Sequence, residues 1–97
     1  MIQRFYFVKL LDAEVPVRAV RAQELADGLR AAGADATVGL PADASAARWD
    51  LSIVIRAPSL AAWEALAEGP GVTAMLDQLA DCAEVIKGWT FAAVDAG

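Results

Sequence analysis

The segment RFYFVKLL at residues 4–11, dense in aromatic and branched residues, suits a strand covered on both faces rather than one alternating toward water. One layer of helices covers one face of a sheet. This chain must therefore find a second cover for its first strand, from its own residues or from another molecule.

The residues that follow supply the first cover. DAEVP turns the chain, and Pro16 is tolerated in a first helical turn but not deeper. From Val17 to Ala32, the residues Ala19, Ala22, Leu25, Ala26, Leu29 and Ala32 recur at helical spacing opposite Arg21, Glu24, Asp27 and Arg30. This predicts an amphipathic helix packed on a sheet, closed by Gly33 in the C-cap role. ADATVGL (34–40) predicts a short strand weakened by Gly39, and PADASAAR (41–48) a loop. WDLSIVIRA (49–57) carries the clearest period of two: Leu51, Ile53 and Ile55 alternate with Asp50, Ser52, Val54 and Arg56.

Ser59 suits an N-cap, and Leu60, Trp63, Leu66 and Ala67 line one side of the short helix it opens. Gly69, Pro70 and Gly71 end that helix, since Pro70 lacks an amide proton and its ring disfavours helix at Gly69. A further helical pattern places Val72, Met75, Leu76, Leu79, Cys82, Ala83 and Ile86 on one face. A turn at Gly88 and a last strand from Trp89 to Val94 then complete the prediction.

The predicted order is βαββαβ with the second α divided, an α+β, ferredoxin-like arrangement: an antiparallel four-stranded sheet with its helices on one face. A second copy of the sheet is the economical cover for the other face. Two sheets facing each other make a homodimer with a dimeric α+β barrel at its core. The length agrees with one domain spanning 1–97, which buries roughly 65% of its unfolded surface. Apolar residues make up 58% of the chain, an excess that an interface between copies would absorb.

Composition also narrows function. The net charge is −5, with no block of like charge, so no basic surface is expected for nucleic acid. No apolar run is long enough for a membrane span, and Arg4 and Lys9 interrupt the N-terminal one, unlike a secretory leader; a cytoplasmic protein is expected. The single cysteine, Cys82, offers neither a disulfide framework nor zinc spacing and reads as a small hydrophobe on a buried helix face. There is no histidine, which removes the commonest metal ligand and the default general base, and no cofactor or metal is expected.

Several short motifs, taken in register with these elements, resemble the stress-responsive A/B barrel domains of the dimeric α+β barrel superfamily. The family opens close to M-I-x-H-hydrophobic-x-x-F-K, against MIQRFYFVKL here. Its third strand begins Tyr-Asp-Leu, against WDL at 49–51, and continues with Ser-Leu-x-x-hydrophobic, against SLAAW at 59–63. Its divided helix carries His-Pro-x-His, against GPGV at 69–72. The resemblance spans nearly the whole chain and implies a pocket between helices and sheet. It also implies a loss: Arg4, Gly69 and Val72 stand where relatives have histidines, and Leu66 stands where catalytic relatives place a tyrosine. The architecture carries over and the proton-transfer chemistry does not.

The expected ligand-binding residues are Arg4, Tyr6, Leu51, Ile53, Trp63, Leu66 and Val72, with no catalytic or metal-binding residue. Arg4 is the sharpest of them, since a cation in a strand built for burial needs an acid, a carbonyl, solvent at an edge or an anionic ligand. Trp63 and Trp89 suit an aromatic wall around a ligand, though large aromatics more often fill core. Asp50 and Arg56 lie six residues apart on one strand, too far for direct contact. The resulting expectation is a non-catalytic homodimer that binds a small apolar or anionic molecule. Against it stand a cofactor-free monooxygenase or cyclase acting on aromatic or polyketide-type substrates, and a module that docks another protein. The flexible backbone expected at Gly69 and Gly71 would make the pocket mouth adaptable.

Overall fold

The structure, a computed structural model, describes residues 1–94. Its elements run β1 (Ile2–Leu10), α1 (Val15–Ala31), β2 (Asp35–Gly39), a short 3-10 turn at Ala44–Ala46, β3 (Leu51–Ala57), α2 (Leu60–Glu68), α3 (Pro70–Cys82) and β4 (Ala83–Ala92). The four strands form one sheet in the order β2-β3-β1-β4, and each neighbouring pair is antiparallel. This is the ferredoxin-like α+β arrangement.

Register assigns every strand residue to a face, because residues opposite one another point the same way. Tyr6 faces Ile53 and Val8 faces Leu51 on β3, and Ala36 of β2 faces Ile55. These side chains join Leu25, Leu29, Trp63, Val72 and Leu79 of the helices in one buried core, so all three helices cover this face. Leu29, Ile53, Ile55, Val8 and Val72 are wholly buried. The opposite face carries Phe5 and Phe7 of β1, Val54 of β3, and Trp89 and Phe91 of β4, with no helix above them.

The local signals act as expected at most helix ends. Pro16 lies in the first turn of α1. At its other end Gly33 takes φ 88°, its N–H donates to the Arg30 carbonyl at 2.9 Å and the Ala34 N–H donates to that of Leu29 at 3.0 Å. Those two bonds make a Schellman motif, which requires a residue tolerant of positive φ. The Ser59 hydroxyl accepts from the Ala62 N–H at 3.1 Å, capping α2. Ala19 and Leu60, expected on packed faces, are exposed: each lies at the first turns of its helix, beyond the edge of the core.

The largest departure concerns the end of the chain. The helical pattern predicted through Ile86 stops at Cys82, and a strand runs from Ala83 to Ala92 straight through Gly88, where a turn was expected. Ala83 already has extended dihedrals, φ −100° and ψ 140°. Val85 and Ile86 pair with Lys9 and Val8, so the outer edge of β1 is hydrogen-bonded along its length. Starting β4 only at Trp89 would leave those backbone groups of β1 without partners, a cost that local helical spacing does not offset.

Pro70 ends α2 at the Gly-Pro-Gly break as expected, but the backbone freedom expected of the two glycines is not what the break uses. Gly69 is in ordinary extended backbone, φ −66° and ψ 147°, and Gly33 is the one positive-φ residue among those described. Pro70 starts α3 as its first residue, where the missing N–H costs nothing. Gly71 is needed for space: a Cβ there would stand 2.7 Å from the Ala32 methyl carbon at the end of α1. Absence of a side chain, rather than backbone freedom, lets α3 start beside α1.

Asp50 is a joint between layers. Its carboxylate accepts from the Leu10 N–H at 2.8 Å and lies 3.9 Å from Arg18 of α1, while Arg56 pairs with Asp35 at 3.7 Å. The Asp50 side chain is 15% exposed, so water replaces these bonds poorly. Asp50→Ala is expected to lower unfolding free energy by about 1–3 kcal/mol, the cost of stranding a half-buried donor. Urea denaturation checks this; a loss below about 0.5 kcal/mol, the range of ordinary surface substitutions, would show the joint to be dispensable.

Candidate functional site

Arg4 lies on the helix-covered face of β1, opposite Ile55 on one side and Thr90 on the other. Its guanidinium sits over the Tyr6 ring, with Cζ 4.8 Å from the centroid, and 5.9 Å from the centroid of a Trp63 ring. Nη1 donates to the Thr90 hydroxyl at 2.9 Å. Nε is buried and has no hydrogen-bond partner. Among the described residues no carboxylate pairs with Arg4, although Arg18, Arg21 and Arg56 each have one.

The local sequence accounts for each part. The alternation of β1 places Arg4 and Tyr6 on one face two residues apart, and the Ser59 cap sets the phase of α2 so that Trp63, 7% exposed, turns inward. Gly88, opposite Tyr6, clears the space beside the cation: a Cβ there would stand 2.7 Å from Nη2 and 3.1 Å from Cζ of Arg4. Beyond Gly88 the strand is exposed, so the guanidinium lies where the covered part of the sheet meets its open end. Two aromatic faces beside it supply cation–π attraction.

The other expected site residues are distributed differently. Leu51, Ile53 and Val72 are at most 1% exposed and pack within the core. Leu66 lines a groove of about 350 Å³ at the end of the sheet, with Ala57, Pro58 and Ala62 as apolar walls and Asp35 and Arg56 beside them. Trp63 and Trp89 do not form one wall: Trp89 projects from the helix-free face, where it lies 6.0 Å from Phe7. Gly88 and Thr90 belong to the Arg4 cluster, and sequence reasoning missed both: it placed a turn at Gly88, and although Thr90 fell in the expected last strand, nothing local set it opposite Arg4. The signal that would have found them is the register of β4 against β1.

Among the described residues no three His, Cys, Asp or Glu side chains gather in a way that could hold a metal ion. The carboxyl of Asp43 is held below the usual carboxylate range by the Ser45 hydroxyl and then by the Ser45 N–H, but this is the exposed cap of the 3-10 turn. It has no part in the Arg4 cluster. No described helix is long and apolar enough to cross a membrane.

The helix-free face forms a second candidate surface. Phe5 meets Phe91 edge-on at 5.7 Å, and Phe7 lies between Trp89 at 6.0 Å and Trp49 at 5.9 Å. Trp89 and Phe91 remain 47% and 55% exposed, which makes this a continuous aromatic surface rather than a scatter of single residues. Lys9, Lys87 and the Asp35–Arg56 pair share the same face.

No protein-family model matches the chain, and no curated protein matches it by sequence. Solved structures do. A dimeric ferredoxin-like protein of unknown function from Thermobifida fusca YX superposes with a TM-score of 0.75 over 95% of this chain and 90% of its own, at 15% identity. A dabb family protein with a ferredoxin-like fold from Mesorhizobium loti gives 0.73 over 97% of both chains at 13% identity. An antibiotic biosynthesis monooxygenase gives 0.69 over 98% of this chain and 100% of its own at 11% identity. At such identities the likeness is one of fold. These ferredoxin-like neighbours, a dabb family protein among them, agree with the resemblance to stress-responsive A/B barrel domains.

Proposed function

We propose that this chain is a cytoplasmic, homodimeric α+β barrel protein of the stress-responsive A/B barrel type, without catalytic activity, that binds a small apolar or anionic molecule beside Arg4. The observation that carries the reading is the Arg4 guanidinium, partly buried between two aromatic rings with no carboxylate among the described residues to neutralise it. A cation removed from water without an acid is costly, and a bound anion offsets that cost. Trp63 and the apolar positions around it supply contact area, and Leu66 extends that area toward the sheet end. The exposed aromatic face of the sheet supports the dimer, as do neighbours described as dimeric.

Native mass spectrometry of freshly purified protein tests both halves at once. The expected result is a dimer carrying a small-molecule mass that Arg4→Leu loses while the dimer persists. A bare dimer that takes up neither anionic nor neutral aromatic compounds at millimolar concentration removes the ligand and leaves a protein-docking module as the better reading.

A second reading has one observation in its favour: an antibiotic biosynthesis monooxygenase shares the fold. Its test is turnover of aromatic or polyketide-type substrates by the purified chain without added cofactor. Oxygen consumption or ring closure that exceeds the blank and falls in Arg4→Leu would replace the non-catalytic reading.

A further inference from the structure

The helix-free face of the sheet projects on one half and is hollow on the other. Toward β4, Trp89 and Phe91 stand clear of the sheet, 47% and 55% exposed. Toward β2, the face opens into a groove of about 250 Å³, lined by Leu40, Pro41, Ala46 and Trp49 of the segment joining β2 to β3 and by Phe7 and Ser52 of the sheet. No residue lining it is charged. Gly39 keeps its β2 side open, since a Cβ there would stand 2.7 Å from the Ser52 hydroxyl oxygen. Phe7 lies between the two halves, 5.9 Å from Trp49 and 6.0 Å from Trp89, so groove and aromatic surface are continuous. Resting on the reading of this chain as a homodimer, we propose that the groove of each copy receives Trp89 of the partner subunit, and that these two equivalent contacts set how the sheets dock.

Symmetry connects the two halves. In a two-fold dimer the same patch serves both copies, so a projection on it must meet a hollow elsewhere on it. The sheet order puts β4 at one edge and β2 at the other. A two-fold axis lying in the interface and running along β1 and β3 therefore carries β4 of each copy across to β2 and β3 of the other, with Phe7 close to the axis. Among the side chains of β4 on this face, the groove selects by chemistry. Lys87 would bring a charge into walls that offer it no partner. Phe91 is engaged edge-on by Phe5 of its own chain at 5.7 Å. Trp89 has the largest apolar area, and the Ser45 and Ser52 hydroxyls lining the groove offer acceptors for its indole N–H. A tryptophan enclosed in a pocket at the centre of an interface is the usual form of a dominant contact.

The test is a double-mutant cycle on dimer affinity, measured by sedimentation over a dilution series of the full chain. Trp89→Ala removes the projection and is expected to weaken the dimer at least thirtyfold. Ala46→Phe fills the groove from its own wall and is expected to weaken it about tenfold. The two changes combined should cost little more than Trp89→Ala alone, because both break one contact. Circular dichroism separates these effects from misfolding; should Ala46→Phe fail to fold, Ser45→Tyr, at an exposed position of the same groove, takes its place. If Trp89→Ala dimerises within threefold of wild type, or if the two losses add in full, the groove does not hold Trp89 while the dimer stands. A larger loss for Phe91→Ala than for Trp89→Ala overturns the choice of residue. A folded wild-type monomer at micromolar concentration removes this inference together with the homodimer beneath it.

Discussion

Phe7→Glu is expected to convert a dimer into monomers, or to prevent accumulation of folded protein, while Leu60→Glu leaves the dimer intact. Phe7 is at the centre of the helix-free face, in contact with Trp49 and Trp89, and the two-fold symmetry of a homodimer would place both new carboxylates in the same apolar layer. An unpaired charge buried in this way costs on the order of 3 kcal/mol, and each contributes, so dimer affinity should fall more than a hundredfold. Leu60 is 51% exposed on α2, on the other side of the molecule, and receives the same charge without burying it. Sedimentation at micromolar concentration separates the outcomes. A wild-type chain that sediments as a folded monomer would remove the dimer, and the aromatic face would then need a different partner.

The second large effect concerns Ile53, which was expected to line a ligand cleft and is wholly buried on the central strand β3, opposite Tyr6 and Val38. Ile53→Ala is expected to lower unfolding free energy by about 2–5 kcal/mol through lost burial and the cavity left behind. For a domain of this size that corresponds to a fall in Tm of roughly 10 °C or more, compared at equal protein concentration because dimerisation couples to stability. A loss under about 1 kcal/mol would mean that solvent or a mobile neighbour already fills the position, as in a cleft wall rather than a core.

Elements whose signals are local were legible in the sequence. The alternation of Leu51, Ile53 and Ile55 predicted β3 and its buried face, the serine before α2 predicted its cap, and Gly33 predicted the end of α1. Each depends on the geometry of a few consecutive residues. The unequal cover of β1 was also legible, because an apolar strand with one helical layer must leave aromatic side chains bare.

Residues 83–88 were not legible, since Leu79, Cys82, Ala83 and Ile86 fit helical spacing while Val85 and Ile86 equally suit a strand. The unpaired edge of β1, far away in sequence, decided between them. Arg4 was recognised as an anomaly from composition alone, because a cation stands in a run built for burial. Its partners were not recognisable, because they depend on which residue of β4 lies opposite which residue of β1. Local patterning is enough for the strand and helix order, the uncovered face and the cation out of place. That Thr90 stands opposite Arg4 and Gly88 opposite Tyr6 follows from the pairing of β4 with β1, because strand register is set between distant segments and carries no mark in either one read alone.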